Sequence, residues 1–579
     1  MKGDSPSSDP KTAITDQIAA LSPQKRALLD LKLKKSLPDG HTLVSQSLKR
    51  LGVTHVYSVP GTPIGQTLAA CVREEIRAIG VRHQQAGIMM AASQNYVTGK
   101  LTATAMLSPG PGVTNASTGI LVAHDNCWPL VVLGGQRPLS MQGMGAFQEL
   151  DAIPIFQSIT KWSARVETTA AIPEYLDRAF HVAIHGRPGP VYLELPEDIL
   201  EGTDFANECS SIEPVEPPAV EPTATNQAAD ILLRAKRPGI ILGKGLRWSE
   251  PYQELQHLVN GFGLPFITSP MGQGYLPDDH PLCYNAVRGL FQSQADAILL
   301  LGARLDWTFR FGTQLAADAK LIQVDIHAQA MGLNVTPTLG IVSDAKQFLQ
   351  QLITQLAVKE GAYPRAGVLD AWCQLLAERR KDRLCQLDSQ MNSDSMPMSP
   401  HRMIKEIREF LPRDAICILD GNVIMAVAQQ ALPSYVPVSR LTAGSDGCMG
   451  VGIPFGIGAK LSHPDRLVIT ICGDTAFGFN AMDMETAVRH RVPLIVVVAN
   501  NDGNSGALTQ EALFPPNHER VSMFKPAIHY EHIMAAFGGH SEFVRHPRQL
   551  KPALERAVAS GTAACINVQV DPRAEYPAQ

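Results

Sequence analysis

The chain has 579 residues, of which 45% are hydrophobic and 18% charged, and a formal net charge of −5. That length exceeds what one hydrophobic core sustains, so several domains are expected. The charge gives no basic footprint for nucleic acid or an anionic membrane surface, and no apolar run reaches bilayer length, so neither is expected as a partner.

Ten cysteines are scattered without a CxxC pair. They read as buried thiols in a reducing compartment, not as a disulfide framework or a zinc site. The opening MKGDSPSSDPKTAITDQ is polar and lacks the apolar core of a secretory signal, so a soluble cytoplasmic protein is expected. Residues 1–37 read as a tail with a short basic amphipathic helix: in LSPQKRALLDLKLKKS (21–36), Ser22 is the N-cap, Pro23 takes N1, and Leu28, Leu29, Leu31 and Leu33 fall at helical spacing.

Two linkers, SSIEPVEPPAVEPTATN (210–226) and SQMNSDSMPMSP (389–400), divide the remainder into domains at 38–205, 225–360 and 400–572. In the first, THVYSV, LTATAML, PLVVLGG and PVYLEL read as strands, and IPEYLDRAFHVAI as a helix. PGIILG, LPFIT, AILLLGA and KLIQVDI continue the pattern in the second domain, and AICILD, LVITICG, PLIVVVAN and CINVQV in the third. Continuous apolar strands alternating with helices imply parallel sheets covered on both faces. The fold class is therefore α/β, with three doubly wound parallel-sheet domains, and ligands are sought at the carboxyl ends of the strands.

Gly473-Asp474-Thr475 follows LVITICG directly, and Asn500-Asn501-Asp502-Gly503 ends the PLIVVVAN strand. Asp474 and Asn501 lie 27 positions apart, room for a crossover helix (METAVRHR), so both side chains emerge at one sheet edge. A carboxylate, an amide oxygen and a nearby backbone carbonyl are hard ligands suited to Mg²⁺ bridging to phosphate oxygens. Gly473 lets the backbone approach those phosphates. Taken singly, GDT is a turn and NNDG a hairpin or helix cap; the pair at two strand ends favours the metal.

This pair resembles the GDG-to-NN signature of the thiamine-diphosphate-dependent enzymes, and the resemblance runs from about residue 40 to residue 572. VRHQQAGIMMAASQNYVTGK, LSPGPGVTN, GRPGPVYLELPEDI and GCMGVGIPFGIGAK look like the pyrimidine-binding and diphosphate-binding domains of acetolactate synthase-like enzymes. NCWPLVVLGG, MGAFQE, PDDHP, LLLGARLDW, GDTAFGF and YEHIMAAFGG are similar to the oxalyl-CoA decarboxylase and 2-hydroxyacyl-CoA lyase branch. The resemblance implies thiamine diphosphate and Mg²⁺ as cofactors, with Asp474, Asn501 and the Gly503 carbonyl as metal ligands and Gly473 and Thr475 in the diphosphate motif. It implies that Gly421 and Asn422 form a diphosphate-contacting turn. Gly447 and Met449 match the stretch at the aminopyrimidine, where Met449 would hold the cofactor in a V shape; from composition alone Met449 is equally a core residue.

The sequence departs from that family at the pyrimidine. Most relatives place a glutamate after the histidine of RHEQ; here Gln84 follows His83, and an amide cannot trade a proton near neutral pH. Two readings stay open: slowed or rerouted cofactor chemistry, as in glyoxylate carboligase, or a non-catalytic homologue kept for binding. His83 is a site candidate by motif; His124, His280, His529 and His540 read as surface or core residues without a role. Phe147 and Gln148 match the lyase and acetolactate synthase pattern. Ser505 falls where CoA-using relatives carry a tyrosine, and DPRAEYPAQ is expected to lack the tail that closes over CoA in oxalyl-CoA decarboxylase.

The central domain resembles a Rossmann-like module. GKGLRWSE (243–250) lacks a full GxGxxG, so no bound dinucleotide is expected. The family resemblance implies a homodimer or homotetramer. The LSPQKRALL stub is similar to segments beside condensation domains of nonribosomal peptide synthetases, which implies a carrier protein as partner; a helix packing on its own subunit is the plainer alternative. The expected activity is a carbon–carbon lyase or carboligase, with a 2-oxo acid or a 2-hydroxyacyl or 2-oxoacyl thioester as substrate.

Overall fold

The computed structural model describes residues 22–25, 37–205, 216–359, 368–504, 511–515 and 517–574. Of the stub, only Ser22–Lys25 falls within these residues. The Lys25 N–H donates to Ser22 Oγ at 3.3 Å, the expected N-cap bond; the leucines at 28, 29, 31 and 33 lie outside them.

Three parallel sheets follow in chain order. The first holds β1 (His55–Ser58), β2 (Arg77–Gly80), β3 (Ala103–Leu107), β4 (Leu130–Gln136), β5 (Trp162–Arg165) and β6 (Pro190–Pro196), ordered β2-β1-β3-β4-β6-β5. The second holds β7 (Pro238–Leu242), β8 (Phe266–Thr268), β9 (Ala297–Leu301), β10 (Lys320–Asp325) and β11 (Leu339–Val342), ordered β11-β10-β9-β7-β8. The third holds β12 (Ile416–Asp420), β13 (Arg440–Leu441), β14 (Val468–Gly473), β15 (Ile495–Asn500), β16 (His540–Val544) and β17 (Ala564–Gln569), ordered β13-β12-β14-β15-β17-β16. The first and third sheets thus share one winding. In each, the strand order reverses between the first strand and the third, which is where a doubly wound sheet opens a crevice.

Side-chain alternation explains why the strands read as unbroken apolar runs. Ile416 and Ile418 of β12, with Val496 and Val498 of β15, enter one buried cluster, while Cys417, Leu419, Ile495 and Val497 enter another on the opposite face. A strand buried on both sides has no polar face to show.

The helices that position the site are α1 (Gln84–Thr98), α2 (Ile172–Ile184), α3 (Val368–Met391), α4 (Val423–Ala431), α5 (Gly452–Ser462), α6 (Asp474–Asn480), α7 (Met484–Arg489) and α8 (Glu531–Ala536). The expected IPEYLDRAFHVAI helix is α2. The METAVRHR crossover is in fact two short helices, α6 and α7, joined by a 3₁₀ turn at Ala481–Asp483. The linker at 389–400 begins inside α3, and the one at 210–226 ends inside a helix that starts at Pro222.

α1 and α5 join the first sheet's layer to the third's. Both are buried nearly all round, as expected of helices without a solvent face. Gly458 makes the approach possible: a Cβ there would lie 2.2 Å from Ser93 Oγ and 2.3 Å from the Met90 carbonyl. Trp128 stacks on Tyr96 with centroids 4.6 Å apart and meets Phe455 at 4.9 Å across the same seam. Among the described residues, no helix is long and apolar enough to cross a membrane.

Candidate active site

β12 and β14 are neighbours, and their carboxyl ends deliver Asp420 and Gly473 to the switch point of the third sheet. A cavity of about 270 Å³ opens there. It is lined by Gly421, Asn422, Met449, Gly473, Asp474, Thr475, Asn501 and Gly503, together with Asn504 and apolar residues of the same layer. Eight of the nine residues expected around the cofactor therefore share one cavity. The ninth, Gly447, is not on its wall; it ends the Gly444–Asp446 turn with a left-handed φ of 70°.

Asp474 is 2% exposed. Burial pushes its carboxyl up to about 7, against the pull of the Gly503 and Thr475 N–H groups, and the charge of Asp502 adds to the rise. Thr475 N donates to Oδ1 at 2.7 Å and Gly503 N to Oδ2 at 3.0 Å. The Thr475 hydroxyl donates to Asn504 Oδ1 at 2.8 Å, joining the two strand ends a second time.

Asn501 Oδ1 faces two other oxygens, Asp474 Oδ1 at 3.2 Å and the Gly503 carbonyl at 3.2 Å. With its oxygen turned inward the amide would join two other acceptors, an arrangement that a cation among them would stabilise. Without a cation, turning the amide over puts its NH₂ inward and satisfies both neighbours. The donor set, a carboxylate, an amide oxygen and a carbonyl, fits a hard divalent ion.

The turn carrying Met449 is held from below by Asp420. That carboxylate is 2% exposed and accepts from Gly452 N at 2.7 Å and Gly450 N at 3.3 Å; burial lifts it to about 6. Asn480 Nδ2 donates to the Gly450 carbonyl at 2.7 Å, so Gly450 is gripped on both sides. Gly450 has a φ of 89°, and a Cβ on it would lie 2.5 Å from Phe479 Cβ. Gly421, at φ 104°, turns the chain from β12 into α4 with Asn422 as the N-cap residue.

Two of the remaining candidates, Gln84 and Gln148, lie against the turn after β3. His83 is the N-cap of α1: its Nδ1 accepts from Gln85 N at 3.2 Å, which gives it a structural duty that the motif did not reveal. Gln84 is half-buried, and its Oε1 accepts from Asn115 Nδ2 at 3.1 Å. Gly110 and Gly112 bring that turn close to both neighbours: a Cβ on Gly112 would lie 3.6 Å from Gln84 Nε2, and one on Gly110 2.8 Å from the Gln148 carbonyl. Gln148 has a left-handed φ of 61°. Phe147 is 74% exposed; Arg137 lies 5.4 Å from its ring centroid, and Arg137 Nε donates to its carbonyl at 2.6 Å. The loop is wound around Glu149, whose carboxylate accepts from Gly143, Gly145 and Ala146 N. Ser505 lies outside the described residues.

Three family models match the chain. "Thiamine pyrophosphate enzyme, N-terminal TPP binding domain" matches residues 38–155, the central domain of the same enzymes matches 225–352, and their "C-terminal TPP binding domain" matches 421–568. The chain belongs to the thiamine-pyrophosphate enzyme family. Among its relatives, human 2-hydroxyacyl-CoA lyase 1 is 33% identical over 562 residues, covering 93% of this chain and 96% of the relative. A probable acetolactate synthase of Mycobacterium bovis is 31% identical over 539 residues, covering 92% and 96%. Oxalyl-CoA decarboxylase of Escherichia coli is 30% identical over 551 residues, covering 93% and 96%. The cofactor of this enzyme family is thiamine diphosphate, taken up with Mg²⁺.

Within this thiamine-pyrophosphate enzyme, the motifs did not reveal Asp420, Asn480, Asn115 or Glu149. Asp420 had a faint signal, an aspartate ending an apolar strand just before Gly-Asn; Asn115 and Glu149 end the quoted LSPGPGVTN and MGAFQE motifs without a role assigned to them, and Asn480 follows GDTAFGF directly. GKGLRWSE lies on a separate, larger cavity of about 600 Å³ between the central layer and the first. Its Lys244 Nζ donates to the Asp125 carbonyl and to Asn126 Oδ1 at 2.9 and 2.8 Å, a tie between layers.

Proposed function

We propose that this protein is a thiamine-diphosphate- and Mg²⁺-dependent carbon–carbon lyase or carboligase, acting on a 2-oxo acid or on a 2-hydroxyacyl or 2-oxoacyl thioester. The observation that carries this reading is the convergence of the Asp474 carboxylate, the Asn501 amide and the Gly503 carbonyl in the cavity at the switch point. These three would hold the metal, and Gly473, Thr475, Gly421 and Asn422 would receive the diphosphate. When bound, thiamine diphosphate supplies an electron sink for the bond that breaks between two carbons. Met449, fixed through Asp420 and Asn480, would orient it from the cavity wall.

Among the described residues, the Asp474 cavity is walled by residues between 400 and 574. Gln84, His83, Phe147 and Gln148 would complete it from a partner copy, in a homodimer or homotetramer with two-fold symmetry. Gln84 stands where relatives use a carboxylate, and with Oε1 engaged by Asn115 it offers Nε2–H. A donor can anchor a ring nitrogen but cannot exchange a proton with it. That feature supports the second reading, a non-catalytic or altered-mechanism homologue.

A thioester substrate is supported by the relatives whose names specify acyl-CoA, and a carrier protein by the LSPQKRALL stub. Deleting residues 1–36 should leave cofactor binding and oligomer size intact while slowing reaction with a carrier-bound substrate; loss of folding would assign the stub to packing. The direct test of activity is to incubate purified protein, thiamine diphosphate and Mg²⁺ with 2-oxo acids and 2-hydroxyacyl thioesters, following CO₂ and product mass. Turnover of none of them would favour the binding homologue.

A further inference from the structure

Glu531, the first residue of α8, is 4% exposed. Its Oε2 accepts from Asn567 Nδ2 at 2.7 Å, and Asn567 is itself fully buried on β17. Its Oε1 lies between two imidazoles, 2.6 Å from His529 Nδ1 and 3.7 Å from His532 Nε2. The two rings stack with centroids 4.9 Å apart and planes 13° from parallel, and Phe543 of β16 lies 4.6 Å from His529. One nitrogen from each ring and one carboxylate oxygen fall within 4.8 Å of one another.

Protons serve this arrangement poorly. One N–H at 2.6 Å pairs His529 with Oε1, while 3.7 Å is beyond hydrogen-bond reach for the other ring. Protonating both rings would set two cations face to face. A single divalent ion would engage all three groups at once. We propose that His529, Glu531 and His532 form a binding site for a borderline transition-metal ion of the Zn²⁺ type, with a fourth position open to solvent. Two imidazoles and a carboxylate select such an ion over Mg²⁺ or Ca²⁺, which prefer all-oxygen cages. Asn567 is the outer partner that orients the carboxylate, as metal-binding carboxylates require.

The surroundings supply both rigidity and access. Asn567 and Asn500 donate to the Ile528 carbonyl at 2.8 and 3.0 Å, so β17 and β15 anchor the residue just before His529. The His532 side chain is 73% exposed, free to turn its ring toward an ion arriving from solvent. An ion held here would clamp the entry of α8 to the sheet. It would also give His529 a ligand's role.

The test uses the full chain loaded with thiamine diphosphate in millimolar Mg²⁺, titrated with ZnCl₂ against a chromogenic chelator and, separately, with Co²⁺ by visible absorption. One Zn²⁺ per chain is expected, undisplaced by Mg²⁺, with a Co²⁺ band typical of nitrogen ligation. His532→Ala and His529→Ala should each weaken Zn²⁺ by more than about 100-fold, beyond the loss typical of an outer partner, and abolish the band. His532→Ala removes an exposed ring, so it carries the test should His529→Ala misfold. No Zn²⁺ uptake by the wild type, or His532→Ala binding as tightly as wild type, would overturn the proposal.

Discussion

The Gly503 backbone N–H donates to Asp474 Oδ2 at 3.0 Å, locking the turn after β15 to the first residue of α6. The Asn501 amide lies 3.2 Å from both Asp474 Oδ1 and the Gly503 carbonyl, so Gly503 meets the carboxylate through its N–H and the amide through its carbonyl.

Asp420 should behave as a positioning residue for Met449. Asp420→Ala leaves the Gly450 and Gly452 N–H groups without their acceptor in a buried setting, a loss of roughly 2–4 kcal/mol. Thiamine diphosphate affinity should fall and thermal unfolding should come earlier. Affinity and stability both at wild-type values would show that the turn holds itself.

Asp420 also has a pH signature. Burial raises its carboxyl from the usual 3.8 to about 6 in the folded protein. The folded state thus binds this proton more tightly than the unfolded state does. Keeping the group ionised costs roughly 3 kcal/mol above pH 6, a cost that fades as pH falls toward 4. Asp278 and Asp483 are raised to about 6 as well, so the readout is a difference between proteins. Urea unfolding of Asp420→Asn should depend less on pH between 4 and 6 than that of wild type; parallel curves would contradict the assignment.

Glu149 organises the loop that presents Phe147 and Gln148, because its carboxylate gathers three backbone N–H groups. Glu149→Ala should leave global unfolding nearly unchanged while accelerating proteolysis between residues 139 and 149. Equal cleavage rates would mean that the loop is held by the Arg137 contacts instead.

Gln84→Glu addresses proton handling. A positioned acid–base group contributes about 10²–10⁴-fold, so the glutamate variant should exchange the C2 proton of bound thiamine diphosphate with deuterium faster than wild type by a sizeable part of that range. Natural turnover need not rise, since a later step can limit it. No acceleration would mean that Gln84 does not face the pyrimidine.

The sequence revealed the fold through burial. Every strand named from it lies inside a sheet except β8, and β8 is an edge strand as apolar as its neighbours. The five strands missed, β2, β5, β11, β13 and β16, are all edges. Four of them are largely half-buried or exposed and so lack an apolar run, and β13 has only two residues. The metal turn was legible because its chemistry needs particular residue types at strand ends. Asp420, Asn115 and Glu149 were not, because each works through backbone groups or an amide brought to it by folding. His83 was legible as a position while its helix-capping bond to Gln85 was not.

Asp474 and its neighbours are expected to hold the cofactor's diphosphate through a divalent metal. Calorimetric titration of thiamine diphosphate into wild type and Asp474→Ala, with Mg²⁺ and with EDTA, tests it most directly. Wild type should bind only with Mg²⁺, and Asp474→Ala should show no measurable binding in either buffer while keeping the wild-type circular dichroism spectrum. Mg²⁺-dependent binding of wild-type affinity in Asp474→Ala would show that the diphosphate is held elsewhere.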